Sequence, residues 1–169
     1  GTQESHGKQH EIGLEQLARA FDIDHLRRAV HDLPLNAVDA HARDLAEHYK
    51  FDPGNRCNPH SWSSKGNWSA CCYTSDHKQA ACMWDKPKEI AGYSSPGYEI
   101  AYYSSAGASA EEGLQGWQKS PSHNPLIINE GIWKKVTWKA IGIAFYKEYG
   151  IVWFGEQEDD RVLALCPNP

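Results

Sequence analysis

Cysteine, histidine and carboxylate side chains are the groups in this chain that could do chemistry, and most of the cysteines crowd one stretch. Cys57, Cys71, Cys72 and Cys82 lie close together with His77 among them, while Cys166 stands apart near the end of the sequence. Sulfur and imidazole ligands could hold zinc, but the paired C-x-x-C knuckles of most structural zinc sites are missing. Disulfides are therefore the favoured reading, and with them an oxidising compartment; which cysteine joins which stays open. Five is an odd number, so one thiol is left over, and Cys166 is the candidate, either free or tying the tail to the body. Of nine histidines, His6, His10, His25, His31, His41 and His48 fall in or before helix-patterned segments and read as surface or capping groups. His60 and His123 differ in sitting in turn-forming segments. Glu111-Glu112 reads as the acidic start of a helix, favoured by the dipole, rather than as a catalytic pair. The chain has no G-x-S-x-G elbow, phosphate loop or H-E-x-x-H helix.

The elements that must position these groups show in the hydrophobic spacing. Leu14, Leu17, Ala18, Phe21, Leu26, Ala29 and Val30 recur near a period of 3.6, predicting helix over residues 12–30 with a break near Asp22 to Asp24. Leu33-Pro34-Leu35-Asn36 is a breaker, and Val38, Ala42, Leu45, Ala46 and Tyr49 then predict a helix over 37–49. Residues 51–95 are rich in Asn, Pro, Ser, Gly, Cys and Trp without a sustained period, which predicts loops and short strands held by cross-links. A third helix is expected over 110–119, with Ser109 and Glu112 forming a capping box and Pro121 ending it. Apolar runs either side of Lys147-Glu148 predict a β-hairpin over 140–155. Trp117 and Trp153 fit the core, whereas Trp62, Trp68 and Trp84 are candidates for an exposed aromatic surface. The acidic run 156–160 reads as a solvated tail.

The composition narrows the classes. The chain has 169 residues, 40% apolar and 23% charged, enough for one domain with a real core. Its net charge of −5, with basic residues scattered, argues against nucleic acid as a partner. No apolar run is long enough to span a membrane, and Gly1 in place of an initiator Met is expected of a processed chain.

Four segments, in order, resemble domains of the CAP superfamily (cysteine-rich secretory protein, antigen, pathogenesis-related; SCP-like). They are the alanine-bearing helix after Leu33-Pro34-Leu35; Cys57-Asn58-Pro59-His60-Ser61, similar to the C-x-x-H-S stretch; Gly97-Tyr98-Glu99-Ile100-Ala101-Tyr102, similar to G-E-N-I-A-Y; and Glu111-Glu112 through Trp117 to Ser120-Pro121-Ser122-His123, then Ile141-Gly142-Ile143. The last run resembles the bacterial pattern E-E-A-x-x-x-W-x-x-S-P-x-H-R followed by I-G-V-G. The resemblance implies an α/β fold, an α-β-α sandwich with helices packed around a central, mainly antiparallel sheet. It also implies a cleft in which His60 and His123 hold the two family histidine positions.

The family's two acidic positions do not transfer cleanly. Without a gap the first falls on Tyr98, so Glu99 on a regular strand would point to the opposite face unless a bulge at Gly97 restores its direction. The second falls at Ser120. The expected cleft is thus His60, Tyr98, Glu99, Ser120 and His123, with His60 and His123 as candidate ligands of a divalent metal such as zinc and Glu99 as the one candidate base.

On this reading residues 1–33 form an N-terminal helical segment, 34–160 the CAP-like domain with a Cys/Trp-rich insert at about 57–84, and 161–169 a C-terminal tail. The expectation is a secreted or periplasmic domain, more a binding module than an enzyme, that takes a small hydrophobic ligand, an envelope component or a metal and requires no cofactor. The alternatives are a metal-dependent hydrolase of peptides or cell-envelope material, and an extracellular interaction protein that uses the insert as its contact surface.

Overall fold

The computed structural model describes residues 35–159. The helix expected over 12–30, with His6, His10, His25, His31, Cys166 and the tail 161–169, lies outside the described residues. Helix α1 spans Leu35–His48. It buries Ala37, Val38, His41, Ala42, Asp44 and Leu45, positions that share one face at helical spacing. Two short helices follow, α2 at Ala81–Trp84 and α3 at Lys86–Ala91, then strand β1 at Gly97–Tyr103. Helix α4, Ala110–Lys119, starts on the expected capping box: the Ser109 hydroxyl accepts from the Glu112 amide at 3.2 Å. It ends before Pro121, and α5 at Asn124–Ile127 and a 3-10 turn at Gly131–Trp133 come next. The hairpin is present as β2, Ala140–Tyr146, and β3, Tyr149–Gly155. Its two-residue turn, Lys147-Glu148, places Lys147 at φ 49°, the left-handed conformation that tight hairpin turns require.

The fold is mixed α/β with a small antiparallel sheet, in the order β1-β3-β2. β3 is central and buried along its whole length, and its alternating side chains feed two cores. Tyr149, Ile151 and Trp153 join Val38, Ala42 and Leu45 of α1. Val152 and Phe154 join Leu114 and Trp117 of α4, Leu126 and Ile127 of α5, and Trp138. β1 pairs with β3 without a bulge, from Gly97 opposite Gly155 to Tyr103 opposite Tyr149.

Residues 51–95 are held by cross-links as expected, but their secondary structure differs from the expectation. Helices α2 and α3 occupy part of the stretch in which loops and short strands were expected, and the strand-like pairing outside the sheet is a single bridge, Trp62 to Cys71. The four clustered cysteines form the disulfides Cys57–Cys72 and Cys71–Cys82, so their sulfurs are not zinc ligands. Each closes a loop of little more than ten residues, a cross-link worth about 3 kcal/mol by restricting the unfolded chain. Of the candidates for an exposed aromatic surface, Trp62 is 4% exposed and Trp84 is 43% exposed. The acidic run also fails to behave as a solvated tail throughout, because Asp159 is buried and the Gln157 carbonyl accepts from the Tyr93 hydroxyl.

Candidate functional site

The strand register decides which residue of β1 reaches the histidines. Glu99 lies opposite Trp153 and Tyr98 opposite Phe154, and directly opposed residues share a face of the sheet. Glu99 therefore points to the α1 side with Trp153, and Tyr98 points the other way. The resemblance-based alignment put Tyr98 at the carboxylate position and needed a bulge to turn Glu99 inward; the regular strand turns Glu99 inward by itself.

Glu99 is the hub of a buried network. Its Oε2 accepts from Nδ1 of His41 at 2.8 Å and from the Trp153 indole N–H at 2.5 Å, and its Oε1 accepts from Nδ1 of His60 at 2.6 Å. Burial pushes the carboxyl pKa up, but the charge and hydrogen bonds of His41 and His60 outweigh it and hold Glu99 at about 2. Nε2 of His41 meets the Ser61 carbonyl at 3.2 Å. Both partners of this ring are acceptors, so the ring is fixed between the Glu99 carboxylate and the Ser61 carbonyl. The ring also stacks on Trp62, centroids 4.1 Å apart and planes 10° from parallel. His41 read from sequence as a surface or capping group; it is fully buried. Its place on the apolar stripe of α1, four residues from Leu45 and one from Ala42, is the signal that could have found it.

His60 uses Nδ1 on Glu99 and keeps 17% of its side chain exposed, so Nε2 is the ring nitrogen that Glu99 does not engage. The cross-link Cys71–Cys82 sits beside it, with Cys82 Sγ 3.7 Å from the His60 carbonyl. Helix α2 guards the outer edge of β1, where the Glu99 amide N–H points at the Met83 sulfur at 3.2 Å. His123 stands at the N-terminal end of α5. Burial, and then the nearby His60, lower its pKa below the usual histidine value.

The remaining expected cleft residues bond elsewhere. The Tyr98 hydroxyl donates to Glu156 at 3.1 Å, and its ring packs against Trp84, Trp133 and Trp138. Ser120 Oγ lies 3.0 Å from Ser122 Oγ. His48 is exposed at the end of α1. Among the described residues no group of three His, Cys, Asp or Glu side chains converges as a metal site. His60 and His123 nonetheless fit a divalent ion in donor chemistry. One presents Nε2 while its other nitrogen is tied to a carboxylate, the usual support of a metal-binding histidine, and the other is held in the neutral form that ligates.

No family model, curated protein or solved structure matches the chain. Among the described residues no helix is long and apolar enough to cross a membrane, and the two disulfides suit an extracellular setting.

Proposed function

We propose that the protein is an extracellular CAP-like domain, an α-β-α sandwich, that binds its ligand without turnover through the paired imidazoles of His60 and His123. The observation that carries this reading is the saturation of Glu99. Both its oxygens accept hydrogen bonds from His41, His60 and Trp153, and its pKa is held at about 2. A carboxylate so engaged orients a histidine and is a poor proton acceptor at neutral pH. A small ligand or a divalent metal is the fitting occupant. His60 and His123 would hold the ion, with water completing its shell, and such an ion would supply Lewis-acid polarisation of an oxygen bound to it. The chain's own contribution is to fix the His60 ring, keep His123 unprotonated and exclude water from Glu99.

Calorimetric titration of zinc into the full chain at neutral pH, with His6 and His10 replaced by alanine, tests this. One ion per chain is expected, lost in His60→Ala/His123→Ala; undiminished binding in that double variant overturns the assignment.

One observation favours a hydrolytic second reading: the 2.6 Å bond from His60 to Glu99 is how a carboxylate orients an imidazole base. In that case His60, rather than Glu99, is the base. Peptide or envelope hydrolysis that titrates with a histidine and disappears in His60→Ala would replace the binding reading.

A further inference from the structure

A cavity beside the disulfide-bearing loop is lined by neither His60 nor His123. It measures about 460 Å³ and is lined by Tyr49, Trp62, Ala70 and the cysteines of the Cys57–Cys72 cross-link, together with Asp44 and His48 of α1. That volume lies within the range of small-molecule sites, which are mostly apolar with a few placed polar groups.

Asp44 is the group that needs explaining. It is only 4% exposed, yet its partners are the amide N–H of Ser63, at 2.8 Å, and the Ser63 hydroxyl. These donors hold the carboxylate in place without cancelling its charge, and among the described residues it forms no ion pair with Lys, Arg or His. Lys86, whose ammonium lies 5.4 Å from the Trp62 ring centre, is bonded instead to Glu89 and the Ser69 carbonyl. His48 is exposed, and its ion-pair contact runs to Glu47 at 3.9 Å. A buried carboxylate without a counter-charge is costly, and this one lines an open cavity to which Tyr49 and Trp62 contribute aromatic rings and Cys57, Cys71 and Cys72 contribute sulfur. Anion and aromatic surface together are the chemistry that recognises an organic cation.

We propose that this cavity binds a small organic ammonium compound, its charge against Asp44 and its apolar body between Tyr49, Trp62 and the Cys57–Cys72 cross-link. The occupant is a monocation with an aromatic or short alkyl body. It sits one ring away from the histidine network, because Trp62, which lines the cavity, stacks on His41.

The test compares phenethylamine, charged at neutral pH, with phenethyl alcohol, of similar shape and neutral, by calorimetry on the full chain. The amine is expected to saturate one site at least tenfold more tightly than the alcohol, and Asp44→Asn is expected to remove that preference. Ala70→Trp, at an exposed position, fills the cavity; it is expected to abolish amine binding while zinc binding at His60 and His123 stays at the wild-type level. Equal affinity for amine and alcohol, absence of saturation by the amine, or a preference that survives in folded Asp44→Asn overturns the proposal. If Asp44→Asn does not fold, the Ala70→Trp variant decides: unchanged amine binding there overturns it as well.

Discussion

Both faces of the sheet pack an apolar cluster, but they differ in the polar groups they bury. On the α4 side, Ile100, Val152 and Phe154 meet Leu114, Trp117, Ile127 and Trp138, and the polar atoms of the two tryptophans are spent on backbone carbonyls, Trp117 on Ala101 at 3.1 Å and Trp138 on Leu126 at 2.9 Å. On the α1 side, the same depth of burial holds Glu99, His41, Asp44 and Ser61 among the apolar groups. Apolar packing contributes stability in proportion to the area it removes from water, whereas a buried ion pair roughly breaks even against its desolvation. Both apolar clusters therefore stabilise the domain, and the α1 face offsets part of its gain by burying the polar groups that orient His60.

The largest break in this contrast is expected from the α4 face. Trp138→Ala should cost about 4 kcal/mol through the cavity it leaves, read as a fall in the midpoint of denaturant unfolding, while zinc affinity of the folded fraction is retained. Next comes the hub. Glu99→Gln leaves His41 facing an uncharged partner in the interior and should cost about 3 kcal/mol, but here zinc affinity should fall as well, since His60 loses its orienting partner; unchanged affinity would detach Glu99 from the site.

The same group sets an acid sensitivity. Its folded pKa of about 2 lies below the ordinary 4.5, so the folded state releases this proton more readily than the unfolded one. The associated stability is present above pH 4.5 and is lost as pH falls toward 2. His123, whose pKa burial and His60 lower, acts in the same direction from about pH 6.5 downward. Acid unfolding followed by circular dichroism should show the Glu99 step weakened in Glu99→Gln. Trp153→Phe removes the indole donor to Glu99 together with part of a buried ring, a loss of about 2 kcal/mol. The smallest effect belongs to Tyr98→Phe: its hydroxyl meets the exposed Glu156, so stability should change by less than about 1 kcal/mol and zinc binding not at all.

How far the site was legible differs from residue to residue. His60 and His123 stood out in the sequence because each sits in a turn-forming segment at a position that the CAP resemblance picks out. Glu99 was singled out, but as a base; its role as an orienting group follows from Trp153 and His41, 54 and 58 residues away. His41 was hidden, since a histidine on a helix has many uses and only the packing of that helix against β2 and β3 decides among them. In residues 51–95 local propensity had little to say, because the two cross-links supply constraints that no periodicity records.

The sequence by itself determined what nearest neighbours can decide: the spacing that makes α1 and α4 helices, the Ser109–Glu112 cap, the two-residue turn of the terminal hairpin and the preference of the clustered cysteines for disulfides. Tertiary structure alone decided the pairing of Cys57 with Cys72 and Cys71 with Cys82, the face on which Glu99 lies, and the burial of His41 and Asp44. Each of these turns on the register or packing of segments far apart in the chain. A side chain's neighbours across a sheet are set by which strands pair, and a shift of one residue would have sent Glu99 to the opposite face.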